Sequence, residues 1–119
     1  MSFAKNFIVG KTRSEKRFRC FEFENREDLF EAFVIETQDY SQRDLFDICC
    51  MMEYMTQREL NKKNINSNGM LLYERYRGLA VNIMDSDFFE EEKKKLNIKT
   101  SLDLCKFGSK LVAIEFRDF

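Results

Sequence analysis

Asp85-x-Asp87 stands directly after an apolar run, and it is the pair of residues in this chain that most suggests a reaction. Two carboxylates on one short loop can share a divalent cation, and oxygen ligands suit Mg²⁺ or Mn²⁺. The chemistry that would follow is Mg²⁺-dependent phosphoryl transfer or nuclease cleavage at Asp85 and Asp87. The same residues have a plainer use. An Asp ahead of a helix accepts its first free N–H groups, and Asp87 with Glu90 has the capping-box spacing. Capping is the expectation, metal binding its rival, and no cofactor is expected.

Cys20, Cys49, Cys50 and Cys105 supply enough thiols for a zinc site on paper. None of them forms the C-x₂₋₄-C pair with which one loop presents two sulfurs to one ion. Adjacent Cys49 and Cys50 point about 100° apart on a helix, which suits packing. Buried small hydrophobes are therefore expected, with the site list empty for metals and for catalysis. The chain has no His, which removes Ser-His-Asp and Cys-His catalysis and His-based metal ligation together. Gly10, Gly69, Gly78 and Gly108 stand alone, form no phosphate-binding loop, and each reads as a turn or cap.

Charge is unevenly distributed although the net is only −1. Residues 1–19 carry six cations against Glu15 alone, while residues 20–53 carry ten carboxylates against Arg26 and Arg43. A fold can interleave such blocks, and mutual neutralisation is the expectation. The alternative is a basic, aromatic hairpin that binds single-stranded RNA or DNA through Lys16, Arg17 and Arg19. The segment Lys16-Arg17-Phe18-Arg19-Cys20-Phe21-Glu22-Phe23 with the acidic residues after it resembles the third strand and following helix of an RNA-recognition motif. Lys16, Phe18 and Phe23 match that pattern. Arg17, Arg19 and Cys20 stand where small residues and a stacking aromatic are expected, and the family is not adopted.

The elements that would position these residues can be read coarsely. Phe7–Gly10 and Arg17–Phe23 form two strands of a hairpin, the second with Phe18 and Cys20 on one face. Asn25 caps a helix whose apolar residues Leu29, Phe30, Phe33 and Val34 follow helical spacing. Ser41 and Asp44 open the strongest helix, which runs to about Leu60. Between Leu45 and Met55 only Asp47 and Glu53 are not apolar, so this helix is apolar nearly all round. Residues 70–77 fit strand or helix, and 79–84 read as a strand with Leu79, Val81 and Ile83 on one face. A helix of about ten residues runs from Phe88 to Leu96. A short one starts at Thr100 with Asp103 and ends at Gly108. A final strand spans 110–116. The fold class is α+β: one small domain over residues 1–119, with a mixed or mostly antiparallel sheet from strands near both termini and a helical middle.

Three functions follow, in this order. The first is a small non-enzymatic protein-binding module (inhibitor, adaptor or accessory subunit), of a size and type shared by phage host inhibitors and immunity proteins. Its binding residues are Met51, Met55 and Tyr54 on the apolar helix, because the flexible thioether suits an irregular contact, and its partner is another protein or a second copy. Nucleic-acid binding by Lys16, Arg17 and Arg19 is second, and metal chemistry at Asp85 and Asp87 third. The first residues lack the apolar run of a secretory signal, and the longest apolar run is Ile48–Met52. A cytoplasmic protein with reduced thiols and no membrane association is expected.

Overall fold

A computed structural model describes residues 6–22, 25–61 and 72–117 of the chain. The elements run β1 (Asn6–Lys11), β2 (Arg17–Phe21), α1 (Arg26–Thr37), α2 (Gln42–Asn61), α3 (Leu72–Ile83), α4 (Ser86–Lys95), α5 (Ser101–Leu111) and β3 (Val112–Arg117). The sheet is antiparallel throughout with the order β2-β1-β3, so the last strand returns to pair with the first. This is the α+β architecture expected, with strands near both termini and helices between them.

Local chemistry explains where the helices start. The Asn25 side chain accepts from the backbone N–H groups of Glu27 and Asp28 at the head of α1. Ser41 and Asp44 cap α2 reciprocally: each side chain accepts the other's N–H at 3.1 Å. Thr100 and Asp103 form the same box at α5. Helix α4 ends at Lys95, and just beyond it Asn97, with a φ of 58°, lets the chain reverse while Ile98 N–H reaches back to the Lys93 carbonyl at 2.8 Å. These caps are short-range and are visible in the sequence.

The core is built around α2. Every side chain from Asp44 to Glu53 is buried, and both α3 and α5 pack along the helix. Gly108 lies inside α5, not at its end, because α5 crosses α2 so closely that a Cβ there would overlap the Cys50 carbonyl. Gly10 likewise lies within β1, where a Cβ would meet the Leu111 carbonyl and the Met51 sulfur. Neither is the turn or cap glycine expected, Gly78 sits in the middle of α3, and Gly69 falls outside the described residues.

The strand expected over 79–84 is helix α3. Leu79, Val81 and Ile83 alternate as in a strand, but the residues that anchor the segment are Tyr76 and Ala80, one helical turn apart and 1% and 0% exposed. Val81 and Ile83 remain on the outside. Of the undecided stretch, residues 72–77 are helical too. Tyr76 also explains why β2 is a protected edge. Its hydroxyl accepts from Phe21 N–H at 2.8 Å and donates to the Phe21 carbonyl at 3.0 Å. Tyr40 donates to the Arg17 carbonyl at 3.0 Å. Two side chains therefore occupy backbone groups that a further strand would use.

Candidate functional site

The hairpin loop at 12–16 carries the first built cluster of charge. Thr12 and Lys16 pair across the loop through a backbone bond of 2.9 Å, and Glu15 closes it with a φ of 67°. That turn aims Arg13 into the helical layer. Its backbone N–H and Nε donate to the Asp47 carboxylate at 2.8 and 2.9 Å, and its Nη2 lies 2.7 Å from the same group. Nη1 donates to Glu92 of α4 at 3.0 Å. The guanidinium also stands 5.1 Å from the Phe107 ring centre and 5.9 Å from that of Phe46. One side chain thus joins the sheet to α2, α4 and α5.

Lys16 is used in the same way. Its Nζ sits 2.9 Å from Asp44, donates to the Asp39 carbonyl at 2.7 Å and lies over the Tyr40 ring. Burial disfavours charge at Asp44, yet hydrogen bonds from Ser14, Lys16 and Ser41 outweigh it and hold the carboxyl below the usual range. The basic and acidic blocks therefore neutralise each other at this point. Of the residues proposed for nucleic acid, Arg17 is exposed, Arg19 is half-buried, and Lys16 is partly exposed with its Nζ held by Asp44 and the Asp39 carbonyl. Phe18, the aromatic between them, is fully buried against Phe33 and Tyr76. Phe23 falls outside the described residues.

Asp85, the first of the acidic pair, caps α4 by accepting from Asp87 N–H at 2.9 Å. Its own N–H donates to the Gln42 side chain at 2.7 Å, so the α3–α4 turn is pinned to the start of α2. Asp87 is exposed in the first turn of α4 and faces the helix's positive end. Among the described residues, no three Cys, Asp or Glu side chains gather closely enough to hold a metal ion.

Of Met51, Met55 and Tyr54, the two methionines are enclosed within the fold and Tyr54 is partly exposed. Met51 is 0% and Met55 4% exposed, and Tyr54 is half-buried against the same core. The methionines were singled out because a flexible thioether suits an irregular contact, but α3 and α5 pack along α2 and enclose them. All four cysteines are buried free thiols, and burial pushes each of them up, Cys49 to about 12. A thiol so displaced carries almost no thiolate near neutral pH.

Exposed large apolar side chains occur on α2 (Leu60), α3 (Val81 and Ile83) and α5 (Leu102), and α1 carries three of them. Leu29, Phe33 and Thr37 turn inward, whereas Phe30, Val34 and Ile35 are 48%, 43% and 67% exposed. In the sequence Leu29, Phe30, Phe33 and Val34 share helical spacing. The structure buries only Leu29 and Phe33 of these. Glu27, Asp28 and Glu31 share the outward side of α1 with the exposed residues, as their helical spacing requires. The signal available beforehand was that apolar residues occupy more of α1's circumference than one sheet strand and one helix can cover. Compared with known proteins, the chain matches no family model, no curated protein and no solved structure.

Proposed function

We propose that this chain is a non-enzymatic protein-binding module that docks a partner on the outward face of α1. The observation that supports this is the exposure of Phe30, Val34 and Ile35 on one helix whose outward acids are Glu27, Asp28 and Glu31. Phe30 and Val34 stand one helical turn apart, and Ile35 lies further round the outward side. Helices with exposed apolar side chains dock into apolar grooves, and the interleaved carboxylates call for lysines or arginines on the groove's rim. The partner is therefore a protein with a basic-rimmed apolar groove. The same reading sets the module in the cytoplasm, where free thiols such as its four cysteines persist.

The test compares affinity capture by the wild type, by a Phe30→Ala/Val34→Ala/Ile35→Ala variant, and by Leu102→Ser, which alters an exposed Leu on α5. The variants are expected to fold, and the α1 triple variant alone should lose the captured partner. Restoring capture by exchanging charge between Glu31 and a rim lysine would identify the groove. Retention of the partner by the triple variant would refute the site. A concentration-dependent dimer abolished by the triple variant would assign the face to a second copy of the chain.

A further inference from the structure

A groove of about 330 Å³ runs between the first turn of α1 and the middle of α3, lined by Arg26, Leu29, Glu74, Arg75, Arg77, Gly78, Leu79 and Asn82. Three of its lining residues are arginines, and only one is committed within the fold. Arg77 donates to Glu53 through Nη1, and its Nη2 lies 3.7 Å from Glu74. Among the described residues, neither Arg26 nor Arg75 makes an ion pair, so Glu74 is the one carboxylate in the groove and Arg77 already faces it. The Arg75 Nε is moreover buried with no hydrogen-bond acceptor among the described residues. A buried donor of a permanently charged group left without an acceptor is costly, and such a group calls for an explanation.

Gly78 points the same way. It lies in the interior of α3, where glycine is less favourable than alanine by about 1 kcal/mol. Close packing does not require it, because a Cβ there would meet nothing within 4 Å. This contrasts with Gly108 and Gly10, where the fold excludes a side chain. The space kept open at Gly78 belongs to the groove. Beside it are Leu79 and the buried Leu29, which give the groove an apolar wall next to its two uncommitted cations.

We propose that this groove binds a small organic oxyanion, its phosphate or carboxylate held between Arg26 and Arg75 and its apolar body lying along Gly78 and Leu79. Guanidinium groups match both anions with paired N–H donors, and a groove of this size is at the small end of ligand sites. Arg75 lines the groove, and its guanidinium would supply donors to the anion beside Arg26. The proposal is independent of docking on α1, since it rests on the groove and is read with small molecules alone.

The experiment is a titration of the full chain, followed by amide NMR shifts in phosphate-free buffer at low salt, with phenyl phosphate, phenylacetate and inorganic phosphate as probes. Phenyl phosphate or phenylacetate should shift the amides of residues 26 and 75–79, and the stronger of the two assigns the anion as phosphate or carboxylate. Inorganic phosphate should bind more weakly because it lacks the apolar body. Arg75→Gln should weaken binding about tenfold or more. Gly78→Leu should raise the melting temperature or leave it unchanged while abolishing binding, which separates the groove from any loss of fold. Absence of shifts with both organic probes would overturn the proposal. So would binding that survives Gly78→Leu, or equal binding by wild type and Arg75→Gln.

Discussion

Replacing Arg13 by Met removes a charge while keeping an unbranched stem to lie against Phe46 and Phe107. What it strands is measurable. The Asp47 side chain is 0% and that of Glu92 8% exposed, so both carboxylates lose their cation in a site that water scarcely reaches. Asp47 keeps the Arg13 backbone N–H at 2.8 Å, which compensates only in part. Removing one partner of a buried ion pair costs about 3–5 kcal/mol, a large share of the ~5–15 kcal/mol by which domains are stable. Urea unfolding followed by circular dichroism should show this loss, and the melting temperature should fall by more than about 10 °C. The second arm is Arg13→Met with Asp47→Asn, where the carboxylate charge goes too. That double variant should be more stable than additivity allows by about 1–3 kcal/mol. A single-variant cost below about 1 kcal/mol, or strict additivity, would refute the view that Arg13 holds the sheet to the helices.

Four further outcomes follow from the same geometry. Because the Asp44 carboxyl is held below its ordinary value, its contribution is complete above the unfolded value of about 4 and is lost as pH falls through the folded one. Asp44→Asn should therefore flatten the acid limb of the stability–pH curve, as read by thermal melts from pH 2 to 7. Gly108→Ala should destabilise by several kcal/mol despite alanine's better helix propensity, since its Cβ meets backbone that cannot rotate away; an unchanged denaturation midpoint would contradict the close crossing of α5 and α2. Asp85→Ala should cost ~0.5–2 kcal/mol as the loss of a cap, Asp85→Asn little, and Asp87→Ala less than Asp85→Ala, all by urea titration. Met51→Lys places a charge at a fully buried position and should abolish the cooperative thermal transition, whereas a folded variant would show that the α2 flank can reach solvent.

Three helix starts were legible in the sequence because capping is a short-range matter, whereas α3 was read in part as a strand and α4 was expected from Phe88, two residues past its start at Ser86. Asn25, Ser41 with Asp44, and Thr100 with Asp103 each satisfy N–H groups two or three residues away, so their spacing along the chain already contains the geometry. The alternation likewise put Phe18 and Cys20 on one face of β2, and packing decides that this face is the buried one. Residues 79–84 were a different case. Leu79, Val81 and Ile83 satisfy a two-residue period while Tyr76, Ala80 and Ile83 satisfy a helical one. Only the pocket that receives Tyr76, between Phe18, Phe33 and the edge of β2, decides between them. The surroundings of α2 were undecidable for the same reason. Its sequence specifies that nearly all its faces need cover, but not whether α3 and α5 or a partner provide it. Arg13 meets Asp47 and Glu92 across 34 and 79 residues of chain, Gly108 is set by a helix crossing, and Gly78 by the absence of one. Such contacts depend on where whole elements pack, and no local pattern of residues carries that information.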